Sequence, residues 1–386
     1  MSLPLHTHAE VRGVHDVGIF KVLTLEEARN SRHAEADVLL WNAHAEGFAG
    51  TLGPPRTDAR GISVWNVRQP AVIQPGDVIR VRPGSGQVSV LYRRGSRANT
   101  LFVTERCNSR CLMCSQPPRD DDDSWRVDEL LRLIPLVDET EPQLGVSGGE
   151  PTLLGEQLGA LIDACGDFLP DTSLHVLTNG RLFAERALAE HLAERRSDAV
   201  IWAVPLYGDV ASDHDLVVDA PGSFAETLQG LYELGRLGAR VEIRVVLHRL
   251  TIPRLPQLAA FIYRRLPFVE HVALMGLEPM GFAKRNREQL WIDPEDYVDP
   301  LSDAVFHLAN RGMEVSIYNL PLCVLPSTLR PFARQSISDW KNSFAPECAG
   351  CSVTEQCSGF FTSAGPAWRS RAVGPIPSEA PVHEMA

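Results

Sequence analysis

The sequence predicts an α/β fold: a partial (β/α)6 barrel of the TIM type, preceded by a β-rich module and followed by a small cysteine-bearing region. Three observations predict it. Between residues 99 and 293, six β-type runs alternate with amphipathic stretches, the rhythm of parallel strands joined by right-handed crossovers. The unusual residues of this stretch fall just after the strands, as they do where chemistry gathers on one face of a β/α barrel. Residues 1–98 lack that rhythm and read as short strands broken by turns. Alternation alone also suits an open sheet; the placement of the unusual residues favours the barrel. Six units rather than eight leave one side open, wide enough for a large substrate.

In chain order, the first 98 residues hold "VGIFKVL", "DVLLW", "GISVW", "DVIRVRP" and "QVSVLYR", with turn signals such as "QPGD" and "RPGSGQ" between them. "TLFVTER" opens the barrel and runs straight into the first cysteines. "WRVDELLRLIPLV" sets Val127, Leu130, Leu131 and Ile134 at helical spacing, with Ser124 as N-cap. "QLGVSGGEP" is a strand entering a glycine loop. Helix "LGEQLGALIDACG", strand "SLHVLTNG", helix "ERALAEHLAERR" and strand "AVIWAVPLYG" follow. "SFAETLQGLYELG" opens on a capping box of Ser223 and Glu226. Strand "RVEIRVVLH", helix "PQLAAFIYRRL" and strand "HVALMGLEP" complete the set. Residues 294–363 read as a separate region: a helix over 294–312, a strand "MEVSIYNLPLC" leading to Cys323, and three more cysteines after "DWKNSFAP". The tail 364–386 is rich in Pro, Ala and Ser and is expected to be disordered.

Composition narrows the function classes. The 386 residues carry a net charge of -12, a poor match to nucleic acid, which asks for a basic surface. The start "MSLPLHTHAEVRG" has no apolar signal core, and no run of about 18 apolar residues exists to span a membrane. The expected location is the cytoplasm, where disulfides are rare, so the eight cysteines point to metal binding or catalysis. They fall in sets. Cys107, Cys111 and Cys114 form C-x3-C-x2-C; Cys323, Cys348, Cys351 and Cys357 form C-x24-C-x2-C-x5-C. Cys165 shares a helical face with Leu158, Leu161 and Ile162 and reads as a buried hydrophobe.

Three thiols are one short of a closed structural zinc site. The next His after Cys114 is His175, inside a predicted strand. A [4Fe–4S] cube wants one outside ligand per iron, so three cysteines hold three irons and leave one position open. The C-x3-C-x2-C loop after the first barrel strand, with "SGGEP" one β/α unit later, resembles the radical S-adenosylmethionine (SAM) superfamily. The resemblance implies that SAM chelates the open iron and that Gly148, Gly149, Glu150 and Pro151 form the family's Gly-Gly-Glu-Pro loop. The glycines would allow positive φ and close backbone approach, and Glu150 would accept hydrogen bonds from an ammonium group. Thr178 and Asn179 of "LTNG" match a strand end near the SAM ribose. Arg244 of "EIRVV" would reach the SAM carboxylate; an outward-facing strand position is the alternative. "PLYG…HD…GSF" departs from the family's Ser-Leu-Asp-Gly pattern at Pro205 and Tyr207, which removes any copied substrate role there; His214 and Asp215 also read as loop caps.

Cys348-x2-Cys351-x5-Cys357 resembles the auxiliary-cluster region of peptide-modifying radical SAM enzymes, in its shortened single-cluster "twitch" form. With Cys323 the set closes one auxiliary [4Fe–4S] cluster, and it suits structural zinc equally. Longer stretches, "RCLMCSQPP", "SGGEPTLLG", "LTNGR", "EIRVVLHRLTIPRL", "FVEHVALMGLEPMG" and "SISDWKN…CAGC…CSGFF", resemble the C-type radical SAM maturases of the His-Xaa-Ser repeat peptide system. That likeness implies a peptide substrate, an electron donor and a second radical SAM maturase as partners. It implies reductive SAM cleavage, hydrogen abstraction from the peptide, and electron transfer to the auxiliary cluster in an oxidative crosslink. The N-terminal module is expected to contact the peptide leader or the partner maturase. The rival readings are a small-molecule enzyme like the cyclase of molybdopterin synthesis, which ends in Gly-Gly where this chain ends in "HEMA", and a zinc-stabilised binding protein.

Overall fold

The computed structural model describes residues 5–54, 61–335 and 343–377. "SISDWKN" lies wholly outside them, as does the last part of the tail.

The first sheet has eight strands: β1 (His6–His8), β2 (Glu10–Arg12), β3 (Gly18–Leu23), β4 (Val38–Trp41), β5 (Gly50–Leu52), β6 (Ile62–Trp65), β7 (Val78–Val81) and β8 (Gln87–Tyr92). Their order is β1-β8-β7-β3-β4-β5-β6-β2. β1 and β2 are separated by Ala9 alone yet pair with opposite ends of the sheet, so the sheet curls until it nearly closes. All five runs read from the sequence are strands here. Successive residues of β3 point to opposite faces. Phe20 and Val22 fill the inside with Leu39, Ile79 and Val88, while Ile19 joins the core of the larger domain with Val78 and Tyr92.

That outward face is also tied by charge. Lys21 is fully buried, its Nζ 2.8 Å from Asp138 Oδ1. Burial lowers the Lys21 pKa and Asp138 opposes it. The Tyr92 hydroxyl donates to Glu141 Oε2 at 2.8 Å, and Arg80 donates twice to Glu129 at 3.0 and 2.9 Å. The module is thus a fixed part of the protein, docked against its first β/α unit.

The second sheet is parallel throughout: β9 (Thr100–Phe102), β10 (Gln143–Ser147), β11 (Ser173–Leu177), β12 (Val200–Pro205), β13 (Arg240–Leu247), β14 (His271–Gly276), β15 (Glu314–Tyr318) and the two-residue β16 (Ala333–Arg334), adjacent in that order. β9 and β16 do not pair with each other, so the barrel stays open. The six predicted strands are β9 to β14. Glu314–Tyr318, read from the sequence as a lead-in to Cys323, pairs in parallel with β14 from His271↔Glu314 to Met275↔Tyr318 and adds a seventh strand.

The helices are α1 (Leu25–Arg29) in the first module, then α2 (Trp125–Leu133), α3 (Glu156–Phe168), α4 (Arg186–Ala193), α5 (Ala211–Val218), α6 (Ser223–Arg236), α7 (Leu255–Arg265), the short α8 (Phe282–Arg285) and α9 (Arg287–Leu290), and α10 (Val298–Ala309). They cover the apolar strand face made by Leu174, Val176, Val241, Ile243, Val272 and Leu274. Cys165 on α3 is fully buried in that core, as its helical face implies.

Two expected caps differ. Ser124 is at the N-cap of α2 but its hydroxyl makes no cap bond. The Ser223–Glu226 box does not form. Asp215 already accepts from Gly222 N, Ser223 Oγ and Phe224 N at 2.6, 2.8 and 2.7 Å, and Glu226 turns to Arg181 at 2.6 Å. Asp215 is therefore a cap, as its alternative reading had it. The tail is ordered as far as it is described. Ser370 Oγ and Arg371 N bond Asp293 at 2.5 and 3.0 Å, and Ser352 N donates to Ile376 O at 2.9 Å. The polar partners on the barrel override the loop-like composition.

Candidate active site

A cavity of about 330 Å3 lies at the C-terminal ends of the barrel strands. Its wall includes Cys107, Cys111, Cys114, Gly148, Gly149, Thr178, Asn179 and Arg244, residues spread over 138 positions of sequence. All but Arg244, which lies within β13, come from the loop after a strand.

The cysteine loop is held from several sides. Arg110 N and Leu112 N donate to Val218 O and Val217 O at the end of α5, at 3.1 and 2.9 Å. Phe282 N donates to Cys114 O, and Asn286 Nδ2 to Leu112 O, both at 2.8 Å. Asn179 Nδ2 donates to Asn108 Oδ1 at 2.6 Å, and Arg181 donates to Asn108 O and to Ser109 Oγ. Burial pushes the Cys107 thiol up to about 11 and raises Cys111 and Cys114 as well; the neighbouring sulfurs add to the rise at Cys107 and Cys111. Such thiols ionise when a cation meets them, so binding there releases protons.

The Gly-Gly-Glu-Pro loop works differently from the sequence expectation. Neither Gly148 nor Gly149 has a positive φ. Close approach is what demands glycine. A Cβ on Gly148 would lie 2.4 Å from Thr104 O, and one on Gly149 2.1 Å from Arg106 O. Gly149 N donates to Thr104 O and Glu150 N to Arg106 O, both at 2.8 Å, which clamps the loop to the strand carrying the cysteines. Glu150 does not offer itself to a ligand. It is fully buried, with Oε1 accepting from Thr152 N, Thr152 Oγ1 and Thr178 Oγ1 at 3.0, 2.6 and 2.6 Å, and Oε2 from Asn179 N at 2.6 Å. Burial raises its pKa and these donors oppose the rise. Glu150 joins the second and third strand ends, and Pro151 is buried beside it at the start of a short 3-10 turn.

Arg244 lines the cavity rather than facing outward from the barrel. Nη1 is 3.5 Å from Glu242 Oε1 and Nη2 donates to Met275 Sδ at 3.1 Å. The wall also holds Tyr207, Met275, Glu278 and Asn319, which motif reading did not select. The departure at Tyr207 was a usable signal. Its ring is buried, 5.9 Å from His214 and 6.3 Å from His248.

Cys323, Cys348, Cys351 and Cys357 line a second, small cavity together. Backbone amides point at its sulfurs. Leu322 N and Gly359 N donate to Cys357 Sγ at 3.3 and 3.4 Å, and Ile376 N to Cys351 Sγ at 3.4 Å. Donors from Ile376 and Val353 lower the Cys351 pKa. Amides of this kind stabilise negative sulfur and suit a thiolate-held centre. Among the described residues, no three Cys, His, Asp or Glu side chains converge closely enough to hold a single metal ion. Nor is any helix long and apolar enough to cross a membrane.

Comparisons with known proteins match part of the chain, the part that carries the cysteine and glycine loops. The GTP 3′,8-cyclase of Aliarcobacter butzleri (strain RM4018) is 30% identical over 154 residues, covering 38% of this chain and 45% of that protein. GTP 3′,8-cyclase 2 of Mycobacterium tuberculosis (strain ATCC 25618 / H37Rv) is 34% identical over 131 residues, 31% of this chain and 34% of that protein. The chain spans less than half the length of these curated relatives. Among solved structures, anSMEcpe with bound AdoMet aligns at a TM-score of 0.45 and 16% identity, over 57% of this chain and 60% of that one. Streptococcus suis SuiB bound to S-adenosylmethionine aligns at 0.43 and 12%, over 56% and 46%. Residues 101–262 match the family model of the Radical SAM superfamily, a span that takes in the three-cysteine loop, the glycine loop and five of the barrel strands. The chain therefore carries a radical SAM domain, the core of a class of enzymes that use S-adenosylmethionine.

Proposed function

We propose that the protein is a maturase that applies radical SAM chemistry to a ribosomally made peptide of the His-Xaa-Ser repeat type. The observation that carries the radical half is the shared cavity: three thiols on one loop, facing the Gly148–Gly149 backbone, Thr178, Asn179 and Arg244. Cys107, Cys111 and Cys114 would hold three irons of a [4Fe–4S] cluster and leave the fourth to SAM. Bound there, cluster and SAM supply a 5′-deoxyadenosyl radical able to take hydrogen from an unactivated carbon. The chain's task is to place the substrate C–H bond against that radical and keep water and competing donors out.

The peptide half rests on the resemblance of the quoted stretches and on the second cysteine cavity. Cys323, Cys348, Cys351 and Cys357 line one small cavity; all four as ligands would close an auxiliary cluster and leave no open iron, which suits electron transfer rather than substrate binding. An electron donor and a second maturase belong to the same reading, as does a cytoplasmic setting. The relatives named GTP 3′,8-cyclase favour a second reading, a small-molecule substrate, but the shared stretch is confined to about a third of this chain.

The test is an anaerobically reconstituted protein, assayed for iron and then given SAM, a one-electron reductant and either a His-Xaa-Ser repeat peptide or GTP. Roughly eight irons per chain, falling to roughly four in the Cys107/Cys111/Cys114→Ala variant, is expected. So is peptide product lighter by two hydrogens in step with 5′-deoxyadenosine. Turnover of GTP with the peptide untouched would favour the second reading. A protein loaded with zinc in place of iron would end both.

A further inference from the structure

The lumen beneath the cavity is polar, unusual for a barrel interior, which branched apolar side chains commonly fill. Glu242 on β13 is buried there between two histidines from other strands. His271 Nδ1 lies 2.8 Å from Oε2, and His175 Nε2 lies 3.3 Å from Oε1, off the line of a straight hydrogen bond. His271 Nε2 is 3.0 Å from Ser316 Oγ. A carboxylate oxygen only accepts, so His271 Nδ1–H is the donor to Glu242. Glu242 is thereby fixed by β11, β14 and β15 at once. Two residues further along β13, on the same face, Arg244 stands over it with Nη1 at 3.5 Å from Oε1. Its other contact among the described residues is Met275 Sδ, a weak acceptor that leaves most guanidinium donors uncommitted at the cavity wall.

We propose that Glu242 is a positioning residue that aims Arg244 into the cavity, where the guanidinium receives the carboxylate of an α-amino-acid group. This rests on the radical SAM reading, in which that group is the methionyl end of SAM. A flexible arginine side chain facing an open cavity has many rotamers, and binding a carboxylate in two-pronged fashion selects one of them. The buried carboxylate beneath it, itself locked by the histidines, makes that selection before the ligand arrives. Glu242→Gln keeps the shape but replaces one acceptor oxygen by an NH2 group, so either His271 or Arg244 meets a donor in place of an acceptor.

The experiment measures binding, not turnover. Cluster-loaded wild type, Glu242→Gln and Ser316→Ala are titrated with SAM and with decarboxylated SAM by equilibrium dialysis, with the cluster absorption recorded for each. Wild type is expected to bind SAM more tightly than the decarboxylated analogue. Glu242→Gln should weaken SAM about tenfold, near 1.4 kcal/mol, and leave the analogue unchanged. Ser316→Ala, a milder cut at the far end of the network, should show a smaller loss with the same selectivity, and it decides the matter if Glu242→Gln does not load its cluster. Equal losses for both ligands, no loss for either, or a wild type indifferent to the carboxylate would overturn the assignment. A wild type that loads a cluster and binds neither ligand would instead overturn the radical SAM reading beneath it.

Discussion

Glu150→Gln tests whether this glutamate braces the site rather than touching a ligand. The carboxylate accepts four hydrogen bonds in a fully buried setting. Gly180 N donates to Thr178 Oγ1 at 3.1 Å, so that hydroxyl must pass its own proton to Glu150. A glutamine does best with its oxygen at the Oε1 position, where it keeps three of the four donors. Its NH2 then faces Asn179 N across 2.6 Å, donor against donor. The lost bond is charge-assisted, worth about 1.5–3 kcal/mol, and the stranded buried amide adds about 1 kcal/mol or more. A destabilisation near 3 kcal/mol follows. With about 2.1 cal/mol/K of unfolding entropy per residue, a cooperative unit of 386 residues has about 0.8 kcal/mol/K, so Tm should fall by about 4 °C. The assay is anaerobic differential scanning calorimetry of the metal-free protein, where no ligand effect can intervene. If Glu150→Gln melts with the wild type when metal-free and loses only SAM affinity when loaded, the glutamate is a ligand group and the bracing argument is wrong.

Gly149→Ala should put its Cβ into Arg106 O and displace the cysteine loop; iron analysis is expected to show loss at the first cluster alone, about half the wild-type total. At the interface of the two sheets, Asp138→Asn should cost about 3–5 kcal/mol by leaving the buried Lys21 ammonium without its charge partner, measured by urea titration. Lys21→Met should cost less, because Arg94 still serves Asp138, with Nε 2.7 Å from Oδ2. Burial pushes His214 down to about 4 and His248 down to about 3. Both are neutral in the fold, so their stabilisation is whole above the ordinary histidine pKa near 6.5 and is lost as pH falls toward 4 and then 3. About 2 kcal/mol each should be gone by pH 5; urea midpoints at pH 7.5 and 5 should draw together by about half that combined loss in His214→Gln.

The sequence showed most of what has local periodicity. Strands such as Gly18–Leu23 and Val200–Pro205 announce themselves by β-branched, apolar runs, and the cysteine and glycine loops by spacing. It did not show what depends on partners far along the chain. A charge that faces a lumen and one that faces water give the same alternating pattern, so Arg244 stayed ambiguous until the sheet curled. His175, Glu242 and His271 meet across three strands with no motif to link them. α5 has no clean apolar stripe: it buries His214, Val217 and Val218, and the carbonyls of the two valines also receive the amides of the cysteine loop. The capping box failed for a similar reason. Asp215, eight residues earlier, was the better cap, and no local signal ranks a distant carboxylate above a nearby serine.

The nearly closed form of the first sheet bears on how a peptide would be recognised. Recognition by strand addition needs an open edge with several unpaired backbone groups. Among the described residues, the sheet ends in β1 and β2, three residues each, and β6 and β8 are paired on both sides. Such short edges are how sheets avoid gaining further strands. A leader peptide held by this module would therefore meet its loops or its convex face, and side chains rather than a backbone ladder would carry the specificity. The barrel offers the contrasting edge. Among the described residues, β15 is paired on its outer side at Ile317 and Tyr318 alone, which leaves Glu314 to Ser316 without a strand partner there. Scrambling the leader's side chains while keeping its length should then abolish binding to the module, whereas N-methylating its backbone amides should leave binding intact. The reverse result would mean that the sheet opens in solution, and that the closure seen here is not the state that meets the peptide.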